Sequence, residues 1–271
     1  MMDVLIPILT MGVLALLFSI GLSFAYQKLK VIEDPKVEKI NEILPQANCG
    51  ACGYSGCRAF AEAVANEKAE ITGCPVGGEE VSQKIAEIMG TEAETKEKKV
   101  ARLHCRGSKE TAKNKGNYLG ITTCYAAHII GGNKQCVYGC LGYGDCEKAC
   151  PFDAIKMGEE GLPIVDEERC TACGQCVEAC PRNLFELHPI SQNIMVFCRS
   201  RDSAATAKKA CKNACIACGI CVRACPEAIA LEDNLAVIKD YKKIDPEKIP
   251  AIEKCPTDAI GRIKKEENHE G

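Results

Sequence analysis

Tryptophan is absent from the 271 residues, and aromatic residues together make up only 5%. Small domains built without large apolar side chains have thin cores and need staples, either disulfides or metal. A dominant charge is missing too: 34 Lys and Arg face 37 Asp and Glu, for a formal net charge of −3. No basic patch with interleaved aromatics appears, which argues against nucleic-acid binding. A dinucleotide fingerprint is also lacking, because Gly142 and Gly144 lead straight into Cys146, and no Walker sequence is present. The chain therefore offers no nicotinamide site, no obvious flavin site and no catalytic side chains of its own. Its length allows one to three small domains.

Charge vanishes between Val4 and Tyr26. That run would extend roughly 34 Å as a helix at about 1.5 Å per residue, enough to cross a bilayer, and Pro7 is tolerable in its first turn. A cleaved signal peptide wants positive charge ahead of the apolar stretch. Here Asp3 precedes it, while Lys28 and Lys30 follow. The positive-inside rule then predicts a single-pass anchor in the cell (inner) membrane, its N-terminus outside and everything after residue 30 in the cytoplasm. A reducing cytoplasm suits free thiols.

What the chain has in excess is cysteine, with 21. Cys170, Cys173, Cys176 and Cys180-Pro181 read C-x2-C-x2-C-x3-C-P, and Cys215, Cys218, Cys221 and Cys225-Pro226 repeat that spacing. In such runs three thiolates hold one cubane and the fourth reaches a neighbouring cluster. Disulfides would scatter these thiols among distant bridges, whereas C-x-x-C spacing gathers them on one centre. Zinc also accepts four thiolates, but the Cys-Pro endings favour iron–sulfur.

Upstream, Cys49, Cys52, Cys57 and Cys74 form a compact set within NCGACGYSGCRAFAEAVANEKAEITGCPVGG. Phe60, Ala61, Val64 and Ala65 recur at helical spacing, predicting a helix packed on the metal between Cys57 and Cys74. A short charged helix is expected over 27–45, and 79–99 reads as a helix running into a solvated linker, a hinge between modules. From Val100 a weak repeat begins: HCRGSKETAKNK around Cys105 resembles FCRSRDSAATAKK around Cys198, and Cys-Pro ends recur at Cys150, Cys225 and Cys255. The expected class is α+β in small metal-stapled domains: membrane helix 1–30, four-cysteine module 31–78, connection 79–99, and two ferredoxin-like polyferredoxin modules at 100–190 and 191–271. Within the latter two, the metal-bearing parts span about 130–190 and 196–262.

By the crossed logic of two-cluster ferredoxins, Cys136, Cys140, Cys146 and Cys180 should share one cubane, and Cys150, Cys170, Cys173 and Cys176 another. Cys215, Cys218, Cys221 and Cys255 form a third set beside that of Cys49. Cys225 then lacks partners other than Cys198 and Cys211. Either Cys105 or Cys124 joins them or the site is vestigial, so four [4Fe–4S] clusters are expected and a fifth stays open. Cys105 and Cys124 could equally pack as small hydrophobes. Among His104, His128, His188 and His269, only His104, beside Cys105, has a position from which to tune or ligate a centre; a satisfied core or surface role is the alternative.

The N-terminal helix, LPQANCGACGYSGC and CVYGCLGYGDCEKACPFDAI together resemble the B subunit of the Rnf complex, the ion-translocating ferredoxin:NAD⁺ oxidoreductase. The resemblance covers nearly the whole chain, and 196–262 resembles the longer forms of that family. It implies an electron-transfer subunit taking electrons from reduced soluble ferredoxin and passing them to other membrane and peripheral subunits, which carry flavins, the NAD site and the ion path. Whether the ion is Na⁺ or H⁺ is not written in this chain. A membrane-tethered polyferredoxin serving another acceptor, such as a system that keeps a redox-sensing transcription factor reduced, is the alternative.

Overall fold

The computed structural model describes residues 2–29, 34–93 and 97–263. Lys30, residues 94–96 of the charged connection and His269 lie outside the described residues. Helix α1 (Met2–Leu29) carries one segment, Ile8–Lys28, long and apolar enough to cross a membrane. Apolar side chains such as Leu14, Phe18 and Leu22 are exposed all round it, and none of its described residues is buried. The hydroxyls of Thr10 and Ser19 donate back to the carbonyls of Ile6 and Ala15 at 3.0 and 2.8 Å, so these two hydroxyls are satisfied within the helix. That is how a helix suited to lipid behaves.

The charged helix expected over 27–45 is split: residues 27–29 belong to α1, and α2 (Pro35–Ile43) starts where Asp34 accepts the Lys36 N–H at 2.8 Å and Pro35 sets the first turn. Helices α3 (Cys57–Ala65) and α4 (Gly78–Met89) pack with α2 around Val37, Ile40, Phe60, Val64 and Ile85. This corrects the solvated reading of the connection's first half. Ile85 is fully buried, and only the opposite face of α4, with Glu80 paired to Lys84, meets solvent.

The remainder is two units with the same plan. In the first, β1 (Lys99–Leu103) leads to α5 (Cys124–Ile129), α6 (Asp145–Lys148), the hairpin of β2 (Ile155–Met157) and β3 (Pro163–Val165), α7 (Gln175–Ala179) and β4 (Phe185–Pro189). In the second, β5 (Ile194–Val196) leads to α8 (Ala204–Ala210), α9 (Ile220–Ala224), the hairpin of β6 (Ile229–Glu232) and β7 (Leu235–Ile238), α10 (Ile249–Ile252) and β8 (Ile260–Arg262). The ends of each unit pair antiparallel, β1 with β4 from Lys99↔Pro189 to Leu103↔Phe185, and β5 with β8 from Ile194↔Arg262 to Val196↔Ile260. Among the described residues, each inner hairpin pairs only with itself. Four two-stranded ladders bury little, since isolated hairpins are marginal in water. The cysteine-rich loops between ladders must be held by something other than sheet.

Those loops are bent by local chemistry. Ala172 and Ala217, one residue before Cys173 and Cys218, take left-handed φ of 56° and 52°, and Gly174 and Gly219 follow at 80° and 70°. Positive φ values on both sides of the cysteine turn the chain tightly enough to bring neighbouring sulfurs toward one point. Alanine tolerates this conformation at a cost of about 1–3 kcal/mol, which the surroundings must offset.

Candidate metal centres

All 21 thiols are free, and most of them gather in groups of four. Cys49, Cys52, Cys57 and Cys74 line one hollow with Phe60. Asn48 accepts the Cys57 N–H at 2.9 Å, and a Cβ at Gly56 would stand 2.8 Å from that Asn48 oxygen, so glycine allows the close wrap. The Gly77 N–H donates to Cys74 Sγ at 3.4 Å.

Cys173 interacts with Cys150 and Cys170, and Cys176 with Cys170, Cys173 and Cys150. Burial first, then those neighbours, push the Cys176 thiol up to about 12. The Ala101 N–H donates to Cys170 Sγ at 3.3 Å, tying this set to β1.

The set expected from Cys136, Cys140, Cys146 and Cys180 is rearranged. Cys140, Cys146 and Cys180 line their hollow with Cys124 in place of Cys136. The reason is a dock between helices: the Tyr125 N–H donates to Asp145 Oδ2 at 3.1 Å, which seats the start of α5 on the start of α6 and so brings Cys124 to Cys146. Burial, followed by the neighbouring Cys124 thiol, pushes Cys146 up to about 12.

Cys136 lies instead with Cys105, Cys198 and Cys211 beside Phe197. This group is shared between the two units, and its halves match. The Cys105 sulfur accepts the N–H groups of Gly107 at 3.3 Å and Cys140 at 3.4 Å. The Cys198 sulfur accepts those of Ser200 at 3.4 Å and Cys215 at 3.3 Å. Cys136 stands four residues before Cys140, as Cys211 stands four before Cys215. The HCRG and FCRS repeat already pairs Cys105 with Cys198 in sequence; this second shared offset is the signal that identifies Cys136 and Cys211 as their companions. The junction is knit by Arg106, which donates to the carbonyls of Asp258 and Arg262 at 3.0 and 3.2 Å and lies 3.5 Å over the Phe197 ring. Buried Lys134 donates to the Gly107 carbonyl at 2.6 Å and puts a cation near the thiols.

Cys215, Cys218, Cys221 and Cys255 line a further hollow, with Cys221 pushed up to about 11 by burial and then by Cys215. The Cys225 group left open by the sequence does not form. Cys225 is 3% exposed and sits in the apolar cluster that holds Ile249 and Ile252, and it does not line the hollow where the Cys198 and Cys211 thiols offered as its partners meet.

The donor sets fit iron–sulfur centres. Each is all-sulfur, the soft chemistry that selects such clusters. Thiols held as high as about 12 by burial cannot ionise among their like without a cationic core to compensate. The N–H groups aimed at sulfur suit thiolates rather than thiols.

Thiols in fours on Cys-Pro turns, between short antiparallel ladders, define an iron–sulfur protein of ferredoxin type. An Fe-S cluster family model matches residues 44–76, and a 4Fe-4S binding domain model matches 163–186. The chain is 48% identical over 259 residues to the B subunit of the Na(+)-translocating ferredoxin:NAD(+) oxidoreductase complex of Acetobacterium woodii, covering 95% of this chain and 77% of that one. It is 38% identical to the proton-translocating counterpart of Clostridium ljungdahlii, over 97% and 94%. It is 36% identical to the B subunit of the ion-translocating oxidoreductase complex of Methanosarcina acetivorans, over 72% and 75%. The chain belongs to the family of B subunits of ion-translocating ferredoxin:NAD⁺ oxidoreductase complexes, the Rnf complexes.

Proposed function

We propose that this chain is the multi-cluster conductor of its complex, taking electrons from soluble ferredoxin and delivering them toward the membrane-bound subunits through five [4Fe–4S] sites. The ligand sets would be Cys49, Cys52, Cys57 and Cys74; Cys150, Cys170, Cys173 and Cys176; Cys124, Cys140, Cys146 and Cys180; Cys105, Cys136, Cys198 and Cys211; and Cys215, Cys218, Cys221 and Cys255. They would sit in a four-cysteine module at 31–78 and ferredoxin-like modules at 100–190 and 191–271. When bound, each cubane supplies a one-electron carrier whose potential depends on charge, hydrogen bonds to sulfur and exposure.

The observation that carries this reading is continuity. Cys173 interacts with Cys49, and Gln175 donates to the Cys49 carbonyl at 2.9 Å, joining the helical unit to the next set. Short helices α6 and α7 link that set to the one at Cys146 and Cys180, because Cys146 and Cys150 lie one turn apart, as do Cys176 and Cys180. Cys140 interacts with Cys105, and Cys198 with Cys215. The chain's own residues therefore string the sets in one line from Cys215 to Cys49. Cys218 is the exposed member of the 21 and suits the end that meets a soluble partner. The Cys49 set follows α1 in sequence and suits the end that hands electrons on. With α1 as anchor and Lys28 at its C-terminal end, the cluster-bearing part would face the cytoplasm.

Replacing Cys52 with alanine in the assembled complex tests the order. Ferredoxin should still reduce the distal centres, seen by low-temperature EPR, while NAD⁺ reduction stops. Continued NAD⁺ reduction would remove the Cys49 set from the path.

A further inference from the structure

Beside the shared thiol group, three donor atoms of other chemistry converge. Glu186 and His188 are two apart on β4 and so share a face, and His104, just past β1, reaches them diagonally across the ladder. His104 Nε2 lies 2.9 Å from His188 Nε2 and 3.1 Å from Glu186 Oε2, and His188 Nε2 lies 3.5 Å from the same oxygen.

The hydrogen bonds on the far side of each ring fix what those atoms present. His104 Nδ1 is 2.7 Å from the Val196 carbonyl, which only accepts, so Nδ1 carries the hydrogen. His188 Nδ1 faces Gln192 Oε1 at 3.1 Å, and the amide orientation is set because Gln192 Nε2 donates to the Ile194 carbonyl at 3.0 Å. Both Nδ1 atoms are thus donors, and both Nε2 atoms of the neutral rings are bare lone pairs aimed at each other and at a carboxylate oxygen. Three such acceptors repel unless a shared proton or a bound cation lies between them.

We propose that His104, His188 and Glu186 form a binding site for a divalent transition-metal ion of the zinc or ferrous class, separate from the thiol sets. Two imidazoles and one carboxylate are a donor set for such ions, and carbonyl partners on the far ring nitrogens are the usual outer support of metal-bound histidine. All three donor atoms lie within 4.8 Å of one another. Arg199 pairs with the other oxygen of Glu186, leaving Oε2 to the site; its charge opposes a cation there and sets a limit on affinity. The donors border an open hollow of about 270 Å³, which leaves room for water to complete the coordination. Because Val196 and Arg199 come from the second unit while the donors come from the first, the ion would brace the junction that also frames the shared thiols.

The test uses the full chain, purified anaerobically with its iron complete, incubated with Zn²⁺ and passed through a desalting column. About one zinc per chain should remain, with X-ray absorption giving a nitrogen and oxygen shell at about 2.0–2.2 Å. His188→Gln should lose that zinc at unchanged iron content. A sulfur shell at about 2.3 Å in the wild-type protein, equal zinc in the variant, or no retained zinc would each overturn the proposal. The absorption spectrum of the wild-type protein decides the matter even where the variant assembles poorly.

Discussion

The two strand-paired units start from one plan and solve its stability differently. In the first, Cys146, Cys170 and Cys176 lie in the same buried cluster as Val100, Ile155 and Phe185, with Cys150 and Cys180 packed against it, so thiols fill the middle of the unit. In the second, the loop after the hairpin carries no C-x-x-C run. Two short turns at 241–243 and 246–248 lead into α10, and Ile249 and Ile252 join the buried cluster that contains Cys225. Where the first unit places the set of Cys150, Cys170, Cys173 and Cys176, its twin has Cys225 in a cluster with Ile249 and Ile252, which also buries Cys198, Cys211, Cys215 and Cys221. At this one position metal ligation and burial of aliphatic side chains are therefore alternative ways to hold the same hairpin, because the ladders alone bury too little.

Removing all iron should separate the units most. With chelator under anaerobic, reducing conditions, the first unit is left with clustered high-pKa thiols among Val100, Ile155 and Phe185. The second keeps Ile249, Ile252, Ala228 and Ile229 buried. Hydrogen exchange followed by mass spectrometry should show protection lost across β1–β4 and partly kept in β6, β7 and α10. Equal loss in both would mean that the aliphatic core does not substitute for metal.

How far these differences can be read from sequence depends on how local their causes are. The C-x2-C-x2-C-x3-C-P runs are legible because one turn of backbone presents their sulfurs. The Cys49 group is legible because Cys49, Cys52 and Cys57 share one short glycine-rich loop, and Phe60 to Ala65 mark the helix that leads on toward Cys74. Cys124 is not, because it enters its set through the contact between Tyr125 and Asp145, a tertiary contact between two short helices. The first half of 79–99 misleads because Glu79, Glu80, Lys84 and Glu87 dominate its composition, while Val81, Ile85 and Ile88 supply the helical apolar spacing of a packed face. The closing strands escape sequence reading altogether: nothing local to Val100 announces its partner His188.

A smaller intervention asks whether the aliphatic substitute carries the second unit. Ile252 is fully buried, so Ile252→Ala should cost about 2–5 kcal/mol through lost burial and the cavity left behind. It should appear as faster hydrogen exchange in β6 and β7 with iron per chain unchanged. Loss of iron as well would mean that the core and the Cys215 set stand or fall together.

The smallest effect is the most discriminating, because it compares one position across the two units. Cys150 and Cys225 each open a Cys-Pro turn ahead of a hairpin, and each follows a cysteine four residues earlier. Cys150 interacts with the thiols of Cys173 and Cys176, whereas Cys225 is buried in the cluster of Ile249 and Ile252 and lines none of the thiol hollows described above. On the ligand sets proposed above, Cys150→Ala removes a ligand and should cost about four irons per chain. Cys225→Ala removes only a small buried hydrophobe and should cost about 1 kcal/mol and no iron. Paired iron and sulfide analyses on the two variants read the contrast directly. If Cys225→Ala lost iron in the same amount, the second unit would hold a centre of its own at Cys225, and its aliphatic core would accompany metal rather than replace it.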